Sequence, residues 1–266
     1  MRSGSWQALV LAAGRGPDDP MASAYSVTHK CLVPVGGIPM LSRVVASLMA
    51  CADIGPIAIS IDDQAVAAEA LGDLLMRCEI VPAQASAARS AIAALDRKPM
   101  FPSLITTGDH PLLTPEMVQF FLDRSASSGA DLCVGLASRA VIERAHPDTK
   151  RTYLRFADNE VSGCNLFAFT HPRALEALRF WHYLEPVRKK PWRLAKAFGL
   201  APLLQFITRT LTLDRAFAIA SRRWQITTLP ILMPFAEAAI DVDKPADKEL
   251  AEKILLTRSK RGDGPG

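Results

Sequence analysis

Two rhythms of apolar positions alternate along this chain. Short apolar runs of strand length recur at 8–11, 56–61, 78–81, 103–107 and 132–136. Between them lie stretches with helical spacing. Residues 38–51 carry Leu41, Val44, Val45, Leu48 and Met49 at positions that share one helical face. Asp62 and Asp63 open a helix expected over 64–76, and an Ala- and Ser-rich stretch predicts another over 83–95. Thr114-Pro115-Glu116 starts a further one: a threonine cap, a proline in the first turn and an early acid. Strand and helix in alternation predict an α/β fold, Rossmann-like, with a mostly parallel sheet and helices on both faces.

The pattern loosens after about residue 150. Residues 153–169 read as two short strands around Asp158-Asn159, a hairpin containing Ser162-Gly163-Cys164-Asn165-Leu166. A series of basic helical segments follows over 171–221, then a late strand at 227–232. The run Asp241-Val242-Asp243-Lys244-Pro245-Ala246-Asp247 leads into a last helix over 247–256. No repeat and no low-complexity linker divides the chain. The expectation is a single domain over 1–266, with a variable helical subregion at 171–234.

Composition narrows the class without naming it. The 266 residues are 49% apolar and 22% charged, ordinary for a globular protein that buries a substantial core. A net charge of +4 is too small to call for nucleic acid, and none is expected. The five cysteines form no Cys-x-x-Cys pair, which argues against a zinc site or a disulfide framework. With no signal-like start and no apolar run near the ~20 residues of a membrane span, a cytoplasmic location is expected.

Ligands of parallel sheets bind at the carboxyl ends of the strands, and chemistry-bearing residues gather there. The first strand ends in Leu11-Ala12-Ala13-Gly14-Arg15-Gly16. Glycines let backbone N–H groups approach an anion, and Lys30 adds a point charge suited to phosphate. An ordinary glycine turn is the plain alternative. A dinucleotide fingerprint would want a third glycine where Asp19 stands, and a Walker A loop would need a Gly-Lys-Ser/Thr that does not follow. The fourth strand ends in Gly108-Asp109-His110-Pro111-Leu112. Asp109 therefore falls at the same edge as the glycine loop.

Leu11 to Gly16, followed by Lys30-Cys31-Leu32-Val33-Pro34-Val35-Gly36-Gly37-Ile38-Pro39-Met40-Leu41, resembles the opening of nucleotidyltransferases with a MobA-like NTP-transferase domain. The resemblance implies a sheet of the nucleotide-diphospho-sugar transferase type. It implies that the backbone of Leu11, Ala12, Ala13, Gly14 and Gly16 wraps the NTP phosphates and that Lys30 contacts them. Asp109 matches the family's strand-end Asp-x-Pro-Leu, a Mg²⁺ ligand. Asp243 matches the second acid of a late Asp-x-Asp-x-Pro-x-Asp, the other metal ligand, with Asp241 a further candidate. Gln84, Ser86 and Ser90 fall where the nucleobase is contacted. Gly163 and Asn165 match a Gly-x-Asn-type stretch that borders the second substrate, which puts 171–234 on the acceptor side. The family places an arginine just after the second glycine. Here Pro17-Asp18-Asp19-Pro20 stands there, and Arg15 is the candidate replacement. His29 and His110, beside proposed site residues, are read as structural hydrogen-bonding histidines.

The implied activity is Mg²⁺-dependent transfer of an NMP unit from an NTP, with CTP slightly favoured, to a phosphorylated small molecule, releasing pyrophosphate. The missing arginine leaves open a non-catalytic NTP-binding regulator. A nicotinamide-dependent oxidoreductase fits less well, because its acid should lie roughly 20 residues past the glycines and Asp62 is much farther on.

Charge distribution adds one more expectation. Between 171 and 225, eleven lysines and arginines stand against Glu176, Glu185 and Asp214, interleaved with Phe180, Trp181, Trp192, Phe198, Leu203, Leu204 and Phe206. One reading is a helical subdomain whose aromatics are core and whose charges face water or the acceptor phosphate. The other is peripheral contact with an anionic membrane, where cations flank an amphipathic helix.

Overall fold

The computed structural model describes residues 6–14, 16, 19–99, 101–149, 151–184 and 199–261. In chain order the strands are β1 (Trp6–Leu11), β2 (Pro34–Val35), β3 (Ile38–Pro39), β4 (Ile54–Ile61), β5 (Cys78–Pro82), β6 (Ser103–Thr107), β7 (Leu132–Ser138), β8 (Leu154–Arg155), β9 (Glu160–Phe169) and β10 (Thr228–Leu232). The α-helices are α1 (Pro20–Ala24), α2 (Met40–Ala50), α3 (Gln64–Leu71), α4 (Ala87–Arg97), α5 (Pro115–Ser128), α6 (Arg139–Ala145), α7 (Leu175–Leu184), α8 (Leu200–Ile207), α9 (Leu213–Trp224) and α10 (Pro245–Arg261).

One sheet of eight strands runs β10-β7-β9-β6-β1-β4-β5, with β8 paired to β9. β1 pairs in parallel with β4 and β6, as β4 does with β5 and β7 with β10. β9 alone runs antiparallel between β6 and β7. The hairpin expected at 153–169 is present, but its second strand is a long one built into the middle of the sheet.

The alternation along β1 sorts the core. Trp6, Ala8 and Val10 face a cluster with Leu41, Val44, Val45 and Leu48 of α2, Val66 and Ala67 of α3, and Met117, Val118 and Phe121 of α5. Leu9 faces the other way, onto Val81 of β5, Ala91 and Leu95 of α4, and Leu175 and Ala177 of α7. Helices thus cover both faces, as the sequence predicts. Each fully buried Leu, Val or Phe contributes ~1.5–3 kcal/mol of transfer free energy.

Several element ends differ from the sequence reading. Ile38 and Pro39 form a strand with β2 rather than a first helical turn, because Gly36 and Gly37 take φ of 59° and 78° and reverse the chain. The helix expected over 64–76 ends at Leu71, where Gly72 has a φ of 51°, and a 3₁₀ segment Gly72–Arg77 continues. The next helix starts at Ala87, since Ser86 caps it by accepting the Arg89 N–H at 3.3 Å. The last helix starts at Pro245 and runs on to Arg261.

The sheet register sets the site. Leu11 pairs with Ser60 on one side and Thr107 on the other, so the segments after β1, β4 and β6 leave the sheet at one level. A smaller apolar cluster then brings the chain's end to the same edge. Met21, Val33, Val35, Met40 and Leu112 pack with Ile240, Val242, Ala251 and Ile254. The Val242 N–H donates to the Asp109 carbonyl oxygen at 2.9 Å, tying the late acidic segment to the loop after β6.

Candidate active site

Lys30 lies on the 3₁₀ turn Lys30–Leu32. Its Nζ donates to Asp109 Oδ2 at 2.6 Å and to Asp243 Oδ1 at 2.7 Å. The lysine is 9% exposed. Burying an ammonium costs several kcal/mol unless opposite charges face it. Burial is the largest single influence on Lys30 and opposes its charge, but Asp109 and Asp243 together outweigh it and raise the lysine pKa. The three groups come from positions 30, 109 and 243 and meet only in the fold. Asp109 Oδ1 is buried and has no hydrogen-bond partner among the described residues, which leaves this carboxylate an acceptor to spare there.

Asp247, in the first turn of the last helix, reaches back to the residues before it. Its Oδ2 accepts the backbone N–H groups of Asp243 at 3.2 Å and Lys244 at 3.1 Å. That arrangement leaves the Asp243 side chain to reach Lys30.

Asp241 has different company. Arg151 Nη1 donates to its Oδ1 at 2.7 Å, Arg151 Nη2 to its carbonyl oxygen at 3.1 Å, and Asn165 Nδ2 lies 3.5 Å from its Oδ2. Burial pushes the Asp241 pKa up, Arg151 pulls it down, and nearby Asp109 and Asp243 push it up again; the net direction is upward. Asn165 adopts a positive φ of 51° where the pairing of β7 and β9 is irregular, a conformation Asn tolerates better than most residues. Gly163, two residues earlier, is exposed.

The glycine loop is held from beneath. Asp62, just past β4, accepts the Gly14 N–H at 3.0 Å through Oδ1 and approaches His29 Nε2 at 3.2 Å. His29 Nδ1 accepts the Cys31 N–H at 3.1 Å, which leaves the ring proton on Nε2, where it donates to Asp62. Burial raises the Asp62 pKa, but the Gly14 and Asp62 N–H groups and His29 overcome it and lower it overall. A Cβ on Gly14 would lie 2.6 Å from His29 Nε2, so glycine is required there by the histidine. Leu11 ends β1, and the Ala12 N–H just past it donates to the Ser60 carbonyl oxygen at 2.8 Å. Ala13 is exposed and Gly16 takes a φ of 92°. Arg15 lies outside the described residues. The longer loop before Lys30 contains α1, which Asp19 caps by accepting the Met21 and Ala22 N–H groups at 2.9 and 3.1 Å.

The three residues placed at the nucleobase have mixed roles. Ser90 is buried and its hydroxyl accepts the Gln84 N–H at 2.8 Å. Ser86 caps α4. The Gln84 side chain is exposed at the mouth of the loop after β5. His110 is buried, with Nε2 at 3.1 Å from the Glu237 carbonyl oxygen, and burial lowers its pKa. Burial pushes the Cys31 and Cys164 thiols far up, which removes both as nucleophiles.

Sequence reasoning did not single out Asp62 as a loop support or Arg151 as the partner of Asp241. The position of Asp62 at a strand end was the available signal for the first. Nothing local marks Arg151, because its partner is ninety residues away.

No curated protein matches the chain. Among solved structures, a hypothetical transferase from Thermus thermophilus is 28% identical with a TM-score of 0.76, covering 91% of this chain and 98% of that one. A CMP:2-keto-3-deoxy-manno-octonic acid synthetase complexed with CTP is 13% identical, with a TM-score of 0.56 and coverage of 95% and 99%. A 4-diphosphocytidyl-2C-methyl-D-erythritol synthase from Anaerococcus prevotii is 15% identical, with a TM-score of 0.55 and coverage of 96% and 97%. The fold is that of the nucleotide-diphospho-sugar transferases. Residues 8–188 match the MobA-like NTP transferase domain, and the chain belongs to that family.

Proposed function

We propose that this nucleotidyltransferase transfers an NMP unit from an NTP to a phosphorylated small-molecule acceptor. An acceptor oxygen attacks the α-phosphorus, the bond to the bridging α–β oxygen breaks, and pyrophosphate leaves. The observation that carries the reading is the meeting of Lys30, Asp109 and Asp243 at the carboxyl edge of the sheet, beside the glycine loop. In-line transfer needs positioned phosphates and neutralised charge more than covalent chemistry from the protein. The loop backbone from Leu11 to Gly16 and the Lys30 ammonium supply the first. Arg15 is proposed to clamp the phosphates.

The carboxylates of Asp109 and Asp243 are proposed to hold Mg²⁺. The unpartnered Asp109 Oδ1 fits such a ligand. Mg²⁺ commonly uses one or two carboxylates with substrate phosphates and water, and it would offset charge on the triphosphate. Asp241, bound to Arg151, serves in this reading as an outer support. Gln84, with the backbone near Ser86 and Ser90, borders the base; Gly163 and Asn165 border the acceptor.

CTP is the favoured nucleotide. Support comes from the structurally similar proteins, one solved with CTP and another that makes a diphosphocytidyl product. The test is pyrophosphate release with each NTP, Mg²⁺ and a panel of sugar, polyol and pterin phosphates. Release with one NTP only when one acceptor is present supports the reading. NTP binding without release in any combination would leave a regulator instead.

A further inference from the structure

The helix α8 is out of keeping with the rest of the molecule. Its sequence is Leu-Ala-Pro-Leu-Leu-Gln-Phe-Ile, with Gln205 its only polar residue, yet none of its residues is buried. Leu200 is 63% exposed, Leu204 51% and Ile207 64%. Phe206 turns inward, edge-on to Phe156 at 5.5 Å, and so fixes which face looks out. Isolated exposed aliphatics are normal, but three on one short helix mark an apolar surface that meets something.

The next helix along the chain is basic and packs nearby: Phe217 of α9 shares a small apolar cluster with Phe156, the ring that Phe206 meets. Arg209 lies two residues past the end of α8, and Arg215, Arg222 and Arg223 lie exposed on α9. Arg215 and Arg222 make no ion pair among the described residues. Phe180 of α7 packs on Trp224 of α9 at 5.8 Å, with Arg223 over its ring, and leaves the adjacent Trp181 48% exposed. The segment is anchored to the sheet. Asp131 accepts from Arg173 Nη2 at 2.9 Å and from the Thr227 N–H at 2.8 Å, while Asp158 accepts the Leu213 N–H at 2.9 Å.

From this pairing of an exposed aliphatic helix with exposed arginines we infer that the 199–225 face is a docking surface for an anionic lipid membrane. Charge chooses the occupant. A second copy would bring the same excess of cations and be repelled, since Arg209, Arg215, Arg222 and Arg223 stand against Asp214 over the described residues 199–225. Nucleic acid would satisfy the arginines but gains nothing from Leu200, Leu204 and Ile207, which neither stack on bases nor bond to phosphates. An anionic bilayer satisfies both: the aliphatic side chains enter the acyl boundary while the arginines stay among the headgroups. Among the described residues no helix is long and apolar enough to cross a membrane, so attachment would be peripheral.

The test is sedimentation of the full chain with vesicles of phosphatidylcholine alone or mixed with phosphatidylglycerol. The surface predicts pelleting with mixed vesicles at low salt, little with neutral ones, and release near 0.5 M salt. The double variant Leu204→Glu/Ile207→Glu should reduce bound protein by about tenfold, and Arg215→Glu/Arg222→Glu should do likewise. Far-ultraviolet circular dichroism checks that both variants remain folded; Leu204→Gln/Ile207→Gln replaces the first if it does not. Three results overturn the inference: no pelleting with anionic vesicles, pelleting unaffected by the Leu204 and Ile207 changes, or complete displacement by a short RNA. The second would reduce the effect to adsorption of a basic protein. None depends on turnover, so the inference stands or falls apart from the proposed reaction.

Discussion

Lys30 and Leu204 sit in opposite surroundings. Lys30 carries a charge and is 9% exposed; Leu204 is aliphatic and 51% exposed. Around Lys30, two carboxylates are held by the Asp247 side chain, a backbone bond between residues 242 and 109, and a small apolar cluster. Around Leu204, the Phe206 ring rests edge-on to Phe156 and the aliphatic side chains of the helix stay exposed. A buried charge is tolerable only where partners within the chain fix its geometry. An exposed apolar helix carries no such internal requirement, and its physical sense lies in what it meets outside. One region is a buried ion cluster closed by the chain itself; the other is an aliphatic helix left open to solvent.

The largest effect is expected at Asp109. Asp109→Asn keeps the shape of the side chain and removes its charge, which in the proposed reaction helps hold the metal. Losing transition-state charge stabilisation of this kind costs about a hundredfold or more in turnover. Pyrophosphate release by a variant with normal circular dichroism is the measurement. Near-normal turnover would make Asp109 a structural counter-ion of Lys30 and dissolve the contrast.

Lys30→Met should weaken NTP binding by about tenfold, the worth of a charge-assisted contact. It also removes the ammonium that Asp109 and Asp243 share. With the Asp243 side chain 46% exposed, solvent screening holds the stability loss to about 1–2 kcal/mol. In the absence of nucleotide, the variant should bind Mn²⁺ more tightly than the parent, because the lysine no longer competes for the carboxylates. Titration calorimetry reads both affinities. Weaker Mn²⁺ binding by the variant would mean that Lys30 builds the cation site rather than filling it.

How much of this was legible depends on the range of the interactions. β1, the glycine loop and Asp109 were marked by local patterns, an apolar run ending in glycines and an acid at the end of a strand, whereas Asp243 came only through the family resemblance. Helices on both faces followed from strand–helix alternation. The placement of β9 between β6 and β7 did not, because antiparallel insertion is decided by pairings with strands tens of residues away. The Arg151–Asp241 pair was hidden for the same reason. Gly36 and Gly37 were quoted in a motif, but their positive φ, and with it the β2–β3 hairpin, was not read from them. The basic segment was legible as charge alone. The lysines, arginines and Trp192 at 185–198 lie outside the described residues.

A smaller effect tests the buried side of the comparison by pH. Burial lowers the His110 pKa below its usual 6.5. The unfolded chain then takes up a proton that the buried ring refuses. Stability is therefore full above pH 6.5 and is lost as the pH falls through the lower folded value. Urea midpoints measured between pH 7.5 and about 5 should fall with pH in the parent and fall less in His110→Gln. Equal slopes would show that the imidazole is hydrated in solution.

The smallest effect belongs to the exposed side. Ile207 is 64% exposed, whereas Ile59 in β4 is fully buried. Apolar burial stabilises by roughly 25 cal/mol per Å² removed from water, and Ile207 keeps most of its surface in water. Ile207→Gln should therefore change unfolding free energy by no more than about 0.5 kcal/mol. Ile59→Gln places an unpartnered amide in the core and should cost about 3 kcal/mol or more. Denaturant unfolding of the two variants gives the ratio directly. A loss beyond about 1 kcal/mol at Ile207 would mean that the folded chain covers this helix itself, which removes both the contrast with Lys30 and the surface offered to a membrane. A negligible loss at Ile207, combined with loss of vesicle binding when Leu204 and Ile207 are made acidic, would show aliphatic side chains that matter to attachment and not to folding.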